Sequence, residues 1–339
     1  MSAPMQDWQE PGAHLVTDGV YRIPLPLPMD GLRAVNVYAV VRDDQVVMID
    51  AGWAIEESRS QLEQSLKSID VGLGDITRFL VTHVHRDHYT QAVTIRREFG
   101  TRVSLGLGEQ QSIVAMNADG REGQTQLDLL VRYGAAELVE GLLATGWGGP
   151  IDAQFWEPPD DWLRHGEQLS VAGRVLRAVH TPGHTRGHVV FTDMDDGLLF
   201  AGDHILPHIT PSIGFESRPG GSPLGDYLTS LGAVLAMPDL RLLPAHGPVT
   251  DSAHARAAEL LAHHDDRLDA SLAAVQAGAA TPYDAAKVLG WTRRGRRFTE
   301  LDPWNQMLAV CETAAHLIVL AEQGRLRRTI VDGVEYFAV

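Results

Sequence analysis

The chain has 339 residues, 44% of them hydrophobic and 21% charged, and a formal net charge of −16. That is an ordinary globular composition with room for one large domain and a small one, and its negative field argues against a polyanion such as nucleic acid as the main partner. The single cysteine, Cys311, excludes an intrachain disulfide; the N-terminal residues lack the basic start and apolar core of a secretory signal, and no apolar run approaches the roughly 20 residues that span a bilayer, so a cytoplasmic protein with no membrane partner is expected.

In chain order, residues 15–27, 35–42 and 45–50 predict strands, rich in β-branched and apolar residues and broken by the turn signals Asp30-Gly31 and Asp43-Asp44. Ile55, Leu62 and Leu66 mark a helix over 55–68. The apolar run Phe79-Leu80-Val81 leads into a histidine-rich stretch, after which 91–99 continues as a helix stopped by Gly100. Strands alternating with helices indicate an α/β class. Residues 109–165 form an insert: helix over 121–144, interrupted by Gly123, Gly134 and Gly141, then Trp147, Phe155, Trp156 and Trp162 among glycines and prolines. Those aromatics suit a lid over a cleft, or else a helical insert packed onto the domain.

From about residue 254 the pattern turns helical, over 254–277, over 282–289 behind the Thr281-Pro282 start, and over 302–323 with Gly324 as the stop. The tail 326–339 reads as a hairpin turning at Asp332-Gly333. The expected division is a large domain over 1–253 and a small helical, winged-helix-like domain over 254–339, which either caps the first or pairs protomers in a homo-oligomer. His254, His263 and His264 are expected on an exposed helix face.

The chemistry concentrates in Thr82-His83-Val84-His85-Arg86-Asp87-His88. Three imidazoles and a carboxylate so close together are costly to bury without a positive partner, and a divalent metal is the usual one. On an extended segment His83 and His85 share a face. Asp87 and His88 then come from the following turn, so the set splits into two pairs, as a two-metal centre requires. Three later segments each bring one more candidate after an apolar run: His184 in Thr181-Pro182-Gly183-His184, Asp203 after Leu199-Phe200-Ala201-Gly202, and His246 after Leu242-Leu243-Pro244-Ala245. Loops at strand ends are where rigid scaffolds carry their chemistry.

This order, HxHxDH and then His, Asp and His, resembles the metallo-β-lactamase superfamily over roughly residues 14–250, including the Asn36 segment and the Asp50-Ala51-Gly52 turn. The resemblance implies a four-layer αβ/βα sandwich with its cleft at one edge of the paired sheets. It implies His83, His85 and His184 on one metal, Asp87, His88 and His246 on a second, and Asp203 bridging them. Zinc fits such donors best, and iron and manganese also accept them. Two ions about 3.5–4 Å apart can hold an attacking hydroxide at neutral pH, and Asp87 is the catalytic residue expected to orient it. His188 and His204 are expected to support ligands from behind. His208, Glu216 and Arg218, in the loop after Asp203, and Tyr89 at the helix start are candidates for substrate contact. Tyr89-Thr90-Gln91 stands where many relatives carry an apolar residue and two small ones.

The expected function is hydrolysis of a small acyl compound, a thioester or a lactone. One alternative is a metal-dependent ribonuclease whose C-terminal domain holds RNA through the basic run from Arg293 to Arg297. Another is iron-dependent oxygen or sulfur chemistry, against which His85 stands where flavin-coupled iron relatives often carry glutamate. A winged-helix regulator that uses the sandwich as a ligand sensor is the non-enzymatic alternative.

Overall fold

The computed structural model describes residues 8–28, 31–43, 45–118, 124–147, 149, 152–216, 221–292 and 295–339. Its first sheet runs in chain order: β1 (His14–Thr17), β2 (Val20–Pro26), β3 (Ala34–Arg42), β4 (Gln45–Ile49), β5 (Ile76–Val81), β6 (Arg102–Gly106) and β7 (Asp161–Leu163). Pairing is antiparallel as far as β4 and parallel from there on. Parallel neighbours need long crossovers; α1 (Glu56–Lys67) and α2 (Arg86–Phe99) supply two of them. The strand expected over 15–27 is two strands. It breaks at Asp18-Gly19, where Gly19 has φ 69° and a Cβ would stand 2.6 Å from the Val41 carbonyl oxygen.

The second sheet has the order β12-β11-β10-β9-β8, from β8 (Gln168–Val171), β9 (Arg174–His180), β10 (Val189–Asp193), β11 (Leu198–Gly202) and β12 (Arg241–Pro244). Only β11 and β12 pair in parallel, and α6 (Pro223–Leu235) is their crossover. Strand alternation builds the layers. Val47 and Ile49 of β4 meet Leu176, Phe191 and Phe200 in a core between the sheets. Val46 and Met48, on the other face of β4, pack with Leu62 and Leu66 of α1 and Ala92 and Ile95 of α2. On the far side, Val190, Leu199 and Leu242 pack with Leu224 and Leu231 of α6 and with the C-terminal helices. The result is the expected helix–sheet–sheet–helix sandwich.

The C-terminal elements are α7 (Ala253–Gln276), α8 (Pro282–Val288), α9 (Pro303–Glu322), β13 (Arg327–Val331) and β14 (Val334–Ala338). Leu260 and Leu268 of α7, Leu317 and Leu320 of α9 and Phe337 of β14 belong to the core under the second sheet. The last two strands pair as the expected hairpin, with Asp332 at φ 50° and Gly333 at φ 82° in its turn. Among the described residues no helix is long and apolar enough to cross a membrane.

Two expectations need correction here. His264 is buried, because α9 covers that face of α7 and places His316 Nε2 3.1 Å from His264 Nδ1; of the three histidines, only His263 is exposed. The insert, α3 (Gln110–Ala118), α4 (Gln124–Arg132) and α5 (Leu138–Leu143), does not gather its aromatics into one lid. Trp156 and Trp162 pack beside the α2 core, whereas Trp147 joins the cluster in which α4 and α5 meet α8 and α9. Residues 121–123 lie outside the described residues, and Gly134, at φ 79°, interrupts the expected helix. Cys311 is buried in the α4–α9 cluster.

Candidate metal centre

Four strand ends converge at one edge of the sandwich. β5 stops at Val81, and His83 follows in an extended loop. His85 is the residue before α2, with φ −61° and ψ 151°, so Asp87 and His88 fall in the first helical turn. His184 sits between β9 and β10, Asp203 directly after β11, and His246 after β12.

The donor atoms form two sets. His85 Nδ1 is 3.0 Å from His83 Nε2 and 3.0 Å from His184 Nε2, which is 3.4 Å from Asp203 Oδ2. In the second set His246 Nε2 lies 3.5 Å from Asp87 Oδ2 and 3.3 Å from Asp203 Oδ1, and His88 Nε2 lies 3.6 Å and 3.7 Å from the same two oxygens. The two oxygens of Asp203 thus face different sets.

The outer nitrogens of four of these imidazoles are tied down. His88 Nδ1 is 2.9 Å from Asp50 Oδ2, His184 Nδ1 is 2.9 Å from the Ser212 carbonyl oxygen, and His246 Nδ1 is 2.8 Å from the Ala34 carbonyl oxygen. His83 Nδ1 meets Thr82 Oγ1 at 3.1 Å, and that hydroxyl donates to Asp50. Each of these contacts fixes a ring orientation and leaves Nε2 aimed inward. Inward, His88 Nε2, His246 Nε2 and Asp203 Oδ1 are buried without hydrogen-bond partners. Buried polar atoms are rarely left so, and a divalent cation would satisfy all three.

Electrostatics agree. Burial pushes His83 well below its usual value and His85 down to about 3, helped by neighbouring imidazoles, so their lone pairs are available. Burial also opposes protonation of His88, yet the carboxylates of Asp50, Asp87 and Asp203 override it and raise His88 to about 10. These carboxylates call for positive charge at this spot, which a bound metal would provide.

A family model, the metallo-beta-lactamase superfamily, matches residues 30–246. The chain belongs to this superfamily. It is 30% identical over 241 residues to the beta-lactamase-like protein 2 homolog of Drosophila melanogaster, covering 70% of this chain and 66% of that one. It is 32% identical to the lactamase-like protein nscB of Aspergillus fumigatus, covering 71% of this chain and 56% of that one. The chain therefore spans under two thirds of the length of these relatives. A solved metallo-beta-lactamase family protein from Thermus thermophilus superposes over 96% of this chain and 99% of its own, with 28% identity and a TM-score of 0.78.

Within this metallo-β-lactamase fold the remaining candidates separate. His188 accepts a hydrogen bond from the Asp203 N–H at Nε2 (3.2 Å) and faces Thr181 Oγ1 with Nδ1, so it braces Asp203 from behind. His204 is buried beside Tyr227, outside both donor sets. The Tyr89 hydroxyl donates to the Glu157 carbonyl oxygen and the ring is buried, away from a substrate-facing position. Glu216 also turns inward, accepting from the Arg186 N–H at 3.0 Å; the contact expected for it would need an open loop, whereas this carboxyl is buried. His208 is exposed, next to Gly247. Arg218, Arg293 and Arg294 lie outside the described residues, and Arg296 and Arg297 are exposed, the latter paired with Glu300.

In the sequence Asp50 stands out only as part of the Asp50-Ala51-Gly52 turn, with no role of its own, and Glu109 does not stand out at all. Asp50 carries a local signal, a carboxylate closing the fully apolar run Val46-Val47-Met48-Ile49. Glu109 carries none, because its partners lie on other segments.

Proposed function

We propose that this protein is a binuclear metal-dependent hydrolase of a small acyl substrate, a thioester or a lactone. The observation that carries the reading is the pair of donor sets sharing Asp203, with three buried donor atoms left without partners. His83, His85 and His184 with one oxygen of Asp203 would hold the first ion. Asp87, His88 and His246 with the other oxygen would hold the second. Zinc matches these donors best; iron and manganese are the alternatives. Such ions, when bound, polarise the scissile carbonyl and lower the pKa of the attacking water to about 7.

The chain's own residues do the rest. Asp87 turns Oδ2 toward His246 and His88, and its Oδ1 is the acceptor that orients the attacking water. Phe215 stands 6.5 Å from the His85 ring, Trp304 is 5.2 Å from Phe215, and Trp147 is 5.5 Å from Trp304, all edge to face. This aromatic run beside the donors suits an apolar acyl group and excludes water from it. The net charge of −16 disfavours RNA in the same cleft.

The test is thiol release from short acyl-thioesters, and ring opening of lactones, by zinc-loaded protein beside the Asp203→Ala variant. Turnover by wild type alone is expected. A fully metallated protein that is silent on both substrate classes but cleaves RNA would overturn the acyl reading.

A further inference from the structure

Beneath the centre lies a buried polar node that the proposed chemistry does not use. Glu109 ends a short turn after β6 and is fully buried. That turn lies backbone to backbone against the loop carrying His184. A Cβ on Gly106 would stand 2.1 Å from the Gly187 carbonyl oxygen, one on Gly108 2.7 Å from the Arg186 carbonyl oxygen, and one on Gly187 2.1 Å from the Glu109 nitrogen. Glycine is required at all three places because the backbones themselves touch.

Into this contact Glu109 projects one carboxyl group, bonded to one loop and next to the other. The Thr185 hydroxyl, one residue after His184, donates to its Oε1. The backbone N–H of Val84, the residue between His83 and His85, faces the same carboxyl group, whose Oε2 is buried without a hydrogen-bond partner. Ser112 lies between Glu109 and Glu216, and Glu216 in turn receives the Arg186 N–H at 3.0 Å. The three imidazoles of one donor set thus stand on two loops that meet at Glu109. Asp87, His88 and His246 have other supports: Asp50 behind His88, and Ala34 and Asn36 behind the His246 loop.

We infer that Glu109 is a positioning residue for one half of the metal centre, setting the spacing of His83, His85 and His184 and leaving the Asp87, His88 and His246 half unaffected. The inference rests on the two-metal reading above. The Thr185 hydrogen bond holds the His184 loop at the carboxyl group, and the His83–His85 loop stands beside that same group. Losing it separates His184 from the His83–His85 pair without touching a ligand. Groups that orient metal ligands commonly cost 10–100-fold in affinity when removed.

The experiment titrates metal-free protein with zinc and with cobalt, in competition with a chelator, and records the visible spectrum of the cobalt form. Wild type should take up two ions. Glu109→Ala should keep one ion at wild-type affinity, hold the other about 10–100-fold more weakly, and lose the cobalt bands of one site only. Glu109→Gln keeps an acceptor for Thr185 and the same bulk beside Val84, and should restore both ions. Thr185→Val removes one tie with little change of shape and should weaken the same half, which keeps the test decisive if Glu109→Ala fails to fold. Two ions at wild-type affinity in both Glu109→Ala and Thr185→Val, or equal weakening of both ions, would overturn the inference. A wild type that binds no divalent ion would instead overturn the two-metal reading.

Discussion

Asp50 holds more of the centre than its place outside the donor sets suggests. Its Oδ1 takes the Thr82 N–H at 2.7 Å, both oxygens lie 3.0 Å from the Thr82 hydroxyl, and Oδ2 meets His88 Nδ1. One carboxylate therefore reaches a ligand of each set, His88 directly and His83 through Thr82. Its backbone φ of 60° is one that asparagine tolerates, so Asp50→Asn tests the charge and the acceptors without strain. It should weaken both ions by about tenfold or more, unlike the one-sided loss expected at Glu109, and chelator competition would tell the two patterns apart. Glu109 makes a second residue-scale prediction. Burial pushes its carboxyl from 4.5 up to about 7, and burial with Glu109 nearby pushes Glu216 to about 8. A folded state that holds its proton more tightly is favoured below the unfolded value and loses that advantage as pH rises through the folded one. Metal-free protein should therefore lose stability between about pH 5 and 8, by about 2–4 kcal/mol from Glu109. Urea unfolding should show Glu109→Gln to be flatter over that range; parallel curves for the two proteins would count against it.

Among the elements, a sequence reveals what is encoded locally. A ligand motif, an apolar strand before it and a glycine after a helix all lie within about a dozen residues, so β3, β4, α2, α9 and the terminal hairpin were legible, as was the gathering of the seven candidate donors. Partnerships between distant segments were not. His264 looks like a surface histidine on α7, and the docking of α9, with Tyr227 of α6 beside it, buries it. His316 Nδ1 lies 2.7 Å from the Glu312 carbonyl oxygen, to which it donates, so His316 Nε2 accepts from His264 Nδ1–H. The aromatics of the insert failed for the same reason, since composition says that Trp147 and Trp156 are apolar but not which layer takes each. The histidine pair carries its own prediction. Burial pushes His264 down to about 2 and His316 to about 4. Because both stay neutral when folded, their contribution is full above about pH 6.5 and is lost as pH falls below it. Replacing both with leucine should lower the pH midpoint of acid unfolding, followed by circular dichroism; an unmoved midpoint would show that other groups set it.

For the molecule as a whole, the last third of the chain covers a sheet. Val190, Leu199 and Leu242 pack in one cluster with α6, α7 and α9, and a chain ending at residue 253 would leave that face with α6 alone. Uncovered apolar area of this kind drives aggregation. The 1–253 fragment should be poorly soluble or bind a hydrophobic dye strongly, and a soluble fragment with cooperative unfolding would show that α6 suffices. Cys311, the chain's only thiol, lies inside the α4–α9 cluster, where burial pushes it up to about 12. A colorimetric thiol reagent should therefore see nothing of the folded protein, so the background in a turnover assay comes from substrate alone. When the helical layer lifts away, the same reagent should register one equivalent per chain, making an inert side chain a clock for the opening of that layer.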